Sequence, residues 1–296
     1  MAQLEEVRVG VRPLDQFSPL VPKEHMRQAM KIALRSRDAL AKRVFWNVNS
    51  TAVGGGVAEM LPSLCAYARS LGIDTRWMVI QGDPEFFRVT KRIHHSLHGS
   101  AGDGTPLDEK AREVYDTTIR RNAPELVALV RPGDVVLLHD PQTAGLARPL
   151  MNAGAHVVWR CHIGIDEANE EVQNGWHFLR PYLDGIPIYV FTREAYVPDF
   201  CDHGKAVIIK PSIDVFSAKN QELTDAAIRT ILVHTGLVEG PPPPEADHGF
   251  RRDDGSPGRV ARRAEVVRLG RAPGWETPLV VQISRWDPLK DMKGVM

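Results

Sequence analysis

Two short polar motifs contain the residue types that most readily take part in chemistry. His139-Asp-Pro-Gln142 follows a run of apolar residues, and Arg160-Cys-His162 ends the next such run. Arg160 and His162 are two residues apart, so their side chains point the same way if this segment is a strand. A buried strand rarely ends in such a pair unless the charge meets a partner. The pattern favours a ligand site, and the alternative is an ion pair between Arg160 and either Asp140 or Asp166.

A run of glycines lies between another apolar run and a helical pattern. Residues 50–59 read STAVGGGVAE, which places Gly55 and Gly56 just before the helix. Glycine lets the backbone approach a ligand closely, and a helix N-terminus attracts phosphate or hydroxyl-rich groups. We therefore expect these two glycines to contact such a ligand. The alternative is simple capping, since Glu59 in the first turn would suit the helix dipole.

The glycine run does not match the two common nucleotide-binding motifs. A dinucleotide fingerprint that starts at Gly54 needs glycine at position 59, where Glu59 stands. No Gly-Lys-Ser or Gly-Lys-Thr sequence follows, as a Walker A loop would require. An NAD-dependent dehydrogenase is thus the weaker alternative, and absence of nicotinamide binding would exclude it.

Alternating apolar runs and helical patterns predict the elements that position these motifs. Strands are expected over residues 43–50, 75–80, 134–139, 156–162, 188–191 and 206–209. Helices are expected over residues 25–41, 57–71, 143–153 and 169–183. This alternation predicts an α/β fold with a Rossmann-like, doubly wound parallel sheet over residues 43–214. Ligands of such sheets bind beyond the carboxyl ends of the strands, which is where both polar motifs stand.

Composition divides the chain into four segments. They are an N-terminal lead-in with a helix (1–42), a Rossmann-like domain (43–238), a flexible Pro- and charge-rich insert (239–276), and the start of a second α/β domain (277–296). The insert opens near the four prolines of 241–244 and has too few apolar residues to order itself. Residues 278–284 predict a strand, after which Arg285 and Lys290 offer two cations to a diphosphate. We expect the second domain to be truncated at Met296.

Charge and cysteine content exclude several classes of protein. Lys plus Arg and Asp plus Glu both number 37, so the basic excess of a nucleic-acid-binding protein is absent. The three cysteines are far apart and predict neither disulfides nor a metal site, which favours the cytoplasm. The N-terminus lacks the apolar run of a signal peptide, and the sequence has no apolar run long enough to predict a membrane span. The histidines at 94, 95 and 98 have no nearby ligand set, so no metal site is predicted.

Taken together, the motifs resemble those of the GT-B retaining glycosyltransferases, and most closely the trehalose synthase group. The resemblance rests on Asn49–Glu59, Glu85–Lys91, His139–Gln142, Trp159–Ile163 and Ser284–Lys290, which occur in the order that the family has. It covers residues 43–290. Trehalose phosphorylases are near relatives of this group.

The resemblance implies a two-domain enzyme that forms trehalose from a nucleotide-diphosphate-glucose donor and glucose. The N-terminal, acceptor-side domain would hold the acceptor sugar and part of the donor. His162 would contact the transferred glucose, with Arg160 and Asp140 as further catalytic residues. Donor and diphosphate binding would fall to Gly55, Gly56, Arg285 and Lys290, and sugar binding to Glu59, His139 and Gln142. No cofactor is implied, and Mg²⁺ dependence, the identity of the nucleotide and homodimer formation stay open.

The chain also departs from the family pattern. It ends before the family's glutamate-containing motif for donor sugar and ribose, and the insert at 239–276 has no assigned counterpart. We therefore expect the 296-residue chain to lack normal transferase activity alone. The alternatives are a trehalose phosphorylase, for which phosphate dependence would be diagnostic, and a non-catalytic sugar-binding fragment, which would bind glucose or trehalose without turnover. The partners expected in each case are small-molecule sugars, without nucleic acid or membrane.

Overall fold

The computed structural model describes residues 4–244, 248–252, 256–284, 286 and 290–295. The chain forms two compact units, Met1–Asp214 and Val215–Met296. The alternation predicted over residues 43–214 lies wholly in the first unit. The predicted boundary between residues 238 and 239 falls inside the second unit, which therefore begins earlier than the change in composition.

The first unit is built on a seven-stranded sheet with the order β1-β3-β2-β4-β5-β6-β7. Its strands are β1 (Glu5–Val7), β2 (Phe45–Asn49), β3 (Thr75–Val79), β4 (Val135–His139), β5 (His156–Cys161), β6 (Ile188–Phe191) and β7 (Ala206–Ile208). All neighbouring pairs are parallel except β1 with β3. The six predicted strands and the α/β fold class are confirmed. Strand β1 was not predicted, because three residues of a polar lead-in carry no detectable alternation.

The first unit also contains α-helices. They are α1 (Lys23–Ala39), α2 (Gly56–Ser70), α3 (Pro84–Leu97), α4 (Glu109–Leu129), α5 (Ala147–Asn152) and α6 (Glu170–Leu183). Helices α3, α4 and α6 have N-cap side chains that accept a hydrogen bond from a backbone N–H of the first turn. The N-cap residues are Asp83, Asp108 and Asn169. The helix expected over 143–153 is wrong in its first half, because residues Pro141–Leu146 form a tighter 3₁₀ helix before α5.

Apolar side chains fill both faces of the sheet. One face of the central strands, including Trp46, Leu138 and Trp159, packs against helices α3 to α6. On the other face, Trp77 of β3 packs against Leu61 of α2. Because successive residues of a strand point to opposite faces, every second residue of β2, β4 and β5 is left free to carry polar groups on the α2 side.

The second unit contains little regular structure. It has helices α7 (Asp225–Thr235) and α8 (Met292–Val295) and a hairpin of β8 (Gly249–Arg251) and β9 (Pro257–Arg259). The hairpin lies within the segment predicted as a flexible insert. The strand predicted over residues 278–284 is wrong: none forms there, and Val280 and Ile283 are exposed. A strand needs a hydrogen-bonded neighbour, and none of the described residues of this unit supplies one alongside it.

Membrane insertion finds no support in the helices. Within the described ranges, none is both long and apolar enough to cross a bilayer.

Candidate active site

Strands β2, β4 and β5 bring three polar side chains to the same face of the sheet. The register pairs His139 of β4 with Arg160 of β5, while Asn47 lies on the neighbouring β2. All three alternate with core residues, so they face away from the large apolar cluster. Asn47 and His139 are buried, and Arg160 is only 8% exposed. The sequence thus assembles a buried polar row near the carboxyl ends of the central strands.

The two histidines of the predicted site are in direct contact. Nδ1 of His139 lies 3.1 Å from Nε2 of His162, and the two rings stack with an interplanar angle of 19°. On the other side of His139, Nε2 lies 3.2 Å from Oδ1 of Asn47. His139 is therefore a buried link between β2 and His162.

Asp140 joins the two motifs through an unusual backbone conformation. Its φ of 63° and ψ of 176° fall in a region that is almost exclusive to glycine and costs about 1–3 kcal/mol. In this conformation its carboxylate accepts a hydrogen bond of 2.8 Å from the N–H of His162. Its own N–H donates to the carbonyl of Arg160 at 2.8 Å. Strain of this kind is concentrated at functional sites.

Arg160 has a side chain that is almost completely buried at the end of β5. Within the described residues its side chain makes no hydrogen bond or ion pair, and its Nε is buried without an acceptor. The ion pair with Asp166 considered above is not formed, because Asp166 instead pairs with the exposed Arg193 at 2.8 Å. Asp140 contributes only a favourable charge at longer range. An unpaired buried cation is costly, so its position suits an incoming anion.

Burial determines the protonation of this cluster. It raises the pKa of Asp140 to about 7, although the hydrogen bond from His162 and the charge of Arg160 oppose the rise. It lowers the pKa of His162 to about 3, with a further contribution from Arg160. The pKa of His139 also falls well below its usual value, first by burial and then by the charges of His162 and Arg160. Both imidazoles are consequently neutral at pH 7.

The glycine loop adopts the strained turn that its sequence permits. Gly54 has a φ of 72°, and Gly55 has a φ of 139° and is the N-cap of α2. Asn49 braces the loop, since its Nδ2 donates to the carbonyl of Thr51 at 2.7 Å and its Oδ1 accepts from Trp77 at 2.8 Å. The loop follows the carboxyl end of β2, the neighbour of β4. Its open backbone therefore faces the same edge of the sheet as the histidines.

The other predicted site residues are Glu59, Gln142, Arg285 and Lys290. Glu59 is exposed in the first turn of α2, and Gln142 is half-buried in the 3₁₀ helix after Asp140. Lys290 is exposed in the second unit, and Arg285 lies outside the described residues. The roles given to these four residues stay predictions.

The structure adds two residues that the motif analysis missed. Asn47 contacts His139, and Thr75 of β3 accepts a hydrogen bond of 3.3 Å from Nδ2 of Asn47. The available signal was Asn47 and Asn49 at alternate positions of an otherwise apolar strand. Buried amides in such a strand require polar partners.

A protein-family model matches this arrangement of motifs. The model for the trehalose synthase N-terminal domain matches residues 47–198, which include His139, Asp140, Arg160 and His162. The chain belongs to the trehalose synthase family. A trehalose synthase from Pyrococcus horikoshii is 34% identical over all of this chain and 60% of its own length. The chain thus spans less than two thirds of that relative.

Two further relatives cover smaller parts of the chain. A trehalose phosphorylase from Pleurotus pulmonarius is 27% identical and aligns with 71% of this chain and 30% of its own length. Among solved structures, an α,α-trehalose 6-phosphate synthase from Burkholderia multivorans aligns with 52% of this chain and 41% of its own, with a TM-score of 0.39 and 16% identity.

Proposed function

We propose that this chain is the acceptor-side part of a retaining glucosyltransferase that makes trehalose from a nucleotide-diphosphate-glucose donor and glucose. The observation that carries the proposal is the cluster of His139, Asp140, Arg160 and His162 at the same edge of the sheet as the glycine loop. It combines two neutral imidazoles for sugar hydroxyls with a cation for a phosphate, and this cation has no ion-pair partner among the described residues. Membership of the trehalose synthase family supports the choice of sugar.

The proposed reaction needs no protein nucleophile. A hydroxyl of the acceptor glucose attacks the anomeric carbon from the face on which the nucleotide leaves. The new glycosidic C–O bond forms as the bond to the phosphate oxygen breaks, and that departing oxygen takes the proton of the hydroxyl. The diphosphate gains negative charge in this step, so fixed cations and backbone N–H groups lower the barrier.

The residues of this chain have separate tasks in that scheme. His162, which is neutral and only half-buried, would bind a hydroxyl of the transferred glucose. Asp140 would orient His162 through the backbone hydrogen bond and accept from a sugar hydroxyl. Arg160 would stabilise the phosphate charge together with the loop at Gly55. Arg285 and Lys290 would complete the diphosphate site, and His139, Gln142 and Glu59 would contact sugar.

A phosphorylase is the second candidate, and the same cluster supports it. Phosphate would then replace the nucleoside diphosphate as the anion beside Arg160, and the Pleurotus relative carries that name. Trehalose formation from nucleotide-glucose plus glucose, as against glucose release from trehalose that depends on phosphate, distinguishes the two. Because this chain spans 60% of the Pyrococcus synthase, both assays use a protein that contains this chain and has the length of that relative, called the longer protein below.

The decisive experiment compares two histidine variants of the longer protein. His162→Ala should abolish most transfer while the thermal unfolding midpoint is kept, whereas His177→Ala, on the exposed side of α6, should leave transfer unchanged. Full activity of His162→Ala would remove this residue from the site.

The chain itself can be tested by calorimetry. For the 296 residues alone we expect binding of glucose or trehalose, weak binding of nucleoside diphosphates and no turnover. Turnover by the isolated chain would contradict this expectation, and binding of neither sugar nor nucleotide would leave the proposed function without support. Arg285→Ala or Lys290→Ala in the longer protein should weaken nucleoside-diphosphate binding more than acceptor binding.

A further inference from the structure

A row of hydrogen bonds crosses four strands and ends at His162. Oγ1 of Thr75 lies 3.0 Å from the backbone carbonyl of Phe45. Nδ2 of Asn47 lies 3.3 Å from the same hydroxyl, and Oδ1 of Asn47 lies 3.2 Å from Nε2 of His139. The last contact, 3.1 Å, joins Nδ1 of His139 to Nε2 of His162. The row therefore runs from β3 through β2 and β4 to the residue after β5.

The first member of this row determines the direction of every bond. A backbone carbonyl can only accept, so the hydroxyl of Thr75 donates to Phe45 and offers its lone pair to Asn47. The amide of Asn47 must then donate through Nδ2 and accept through Oδ1. Because Oδ1 accepts, Nε2 of His139 carries a proton.

The same reasoning extends to His162. A neutral imidazole with a proton on Nε2 has a lone pair on Nδ1, so Nδ1 of His139 is an acceptor. The partner nitrogen, Nε2 of His162, must therefore be the donor. Nδ1 of His162 makes no hydrogen bond with the described residues. The ring is only half-buried, so a ligand can reach this nitrogen.

We propose that Thr75, Asn47 and His139 are positioning residues that fix the tautomer of His162, so that its Nδ1 offers a lone pair to a sugar hydroxyl. The tautomer is a property of the fold. Only the identity of the hydroxyl rests on the proposed function.

The surroundings keep the row in its neutral form. Arg160 and Asp140 are the other charged groups near the two rings, and Arg160 disfavours a second cation. A protonated His139 would have to donate from both nitrogens and would reverse the last bond. The buried position of His139, which is 1% exposed, opposes that protonation.

The test reads the tautomer directly from the 296-residue chain labelled with ¹⁵N-histidine. Spectra of His139→Ala and His162→Ala chains assign the two rings. We expect both to carry the proton on Nε2 at pH 7. A proton on Nδ1 of His162, or an even mixture of tautomers, would overturn the proposal.

Substitution of Asn47 supplies a second test that a purely structural role would not pass. In Asn47→Asp, a carboxylate beside Nε2 favours protonated His139, whose Nδ1 then donates to His162. The tautomer of His162 should therefore switch from Nε2–H to Nδ1–H. Asn49→Asp changes the same residue type on the same face of β2 but outside the row, and should leave His162 unchanged. An unchanged His162 in Asn47→Asp would overturn the proposal.

Activity separates this inference from the proposed function. In the longer protein, Asn47→Asp should lower kcat for transfer about tenfold or more, whereas His177→Ala should leave it unchanged. If His162→Ala keeps full transfer while the spectra give the expected tautomers, the proposed role of His162 fails and the row stands. If His162→Ala is inactive but the tautomers differ from those expected, the row fails and the proposed role of His162 stands.

Discussion

The carboxylate of Asp140 accepts a 2.8 Å hydrogen bond from the backbone N–H of His162, which ties the loop after β4 to the loop after β5. Asp140 reaches this position only through a backbone conformation that glycine normally occupies. The fold therefore holds a strained residue at the point where its two polar motifs meet. Such strain is retained when the orientation of a side chain matters more than local stability.

Asp140→Asn should change how stability depends on pH. Burial raises the pKa of Asp140 from 3.8 to about 7, so the stabilising contribution of this group is complete below pH 3.8 and is lost as pH rises through 7. The amide side chain introduced by Asp140→Asn does not titrate, so its contribution to stability does not depend on pH. Between pH 5 and pH 8 the free energy of unfolding of the wild type should fall by about 1–3 kcal/mol relative to Asp140→Asn. Urea unfolding at both pH values measures this difference.

Asp166→Asn is the control for that measurement. Asp166 forms an exposed ion pair with Arg193, and its substitution should leave the pH dependence of stability as it is in the wild type. If the wild type and Asp140→Asn lost stability in parallel over this range, Asp140 would be ionised as readily in the folded chain as in the unfolded one.

Arg160→Met should stabilise the fold and weaken anion binding. Arg160 is only 8% exposed, and its Nε is buried without a hydrogen bond from the described residues, whereas methionine fills a similar volume without a charge. We expect the free energy of unfolding to rise by about 1–3 kcal/mol. In the longer protein, the affinity for inorganic phosphate or a nucleoside diphosphate should fall about tenfold or more. Calorimetry measures the second effect.

Arg193→Met provides a matched control, because it removes an exposed arginine of the same unit. Its effect on stability should stay within about 0.5 kcal/mol, and anion affinity should not change. A loss of stability in Arg160→Met would mean that the guanidinium has a partner in the folded protein and is not held ready for a ligand.

Much of the fold could be predicted from the chain itself. Residues 135–138 are all apolar, which is typical of a strand that is covered on both faces, and β4 forms there. The strand expected over 278–284 was as apolar but does not form. An apolar sequence is not enough to form a strand, because a strand also needs a hydrogen-bonded neighbour from elsewhere in the chain.

The site could be predicted only in part. The motifs with His139 and His162 stand out because polar groups follow apolar runs. Their contact with Asn47 depends on strand order, since β2 neighbours β4 although β3 and the helices α2, α3 and α4 lie between them along the chain. The absence of a partner for Arg160 within the described residues likewise depends on side-chain positions in three dimensions, which residue spacing does not contain.

Gly55→Ala should be much more harmful than Gly56→Ala. Gly55 has a φ of 139° and a ψ of 156°, which an L-residue reaches only at a cost of about 1–3 kcal/mol. Gly56 begins α2 at a negative φ, and a Cβ there would meet no atom within 4 Å. We expect a loss of stability of that size for Gly55→Ala and almost none for Gly56→Ala. Equal effects in thermal unfolding would mean that the loop relaxes to another conformation.

Asp214→Ala should destabilise the first unit more than any exposed ion pair would. Asp214 ends this unit and pairs with Arg12, and it accepts hydrogen bonds of 2.6 Å from Ser63 and 3.0 Å from Tyr67 of α2. Arg12 and Asp214 both have side chains that are 11% exposed, so loss of the carboxylate removes an ion pair that is largely shielded from solvent. We expect a decrease of about 3 kcal/mol in the free energy of unfolding, whereas Asp38→Ala in the exposed pair with Arg37 should cost less than about 0.5 kcal/mol. Similar values for the two variants would mean that the lead-in and the end of the unit are held to α2 by apolar contacts rather than by this carboxylate.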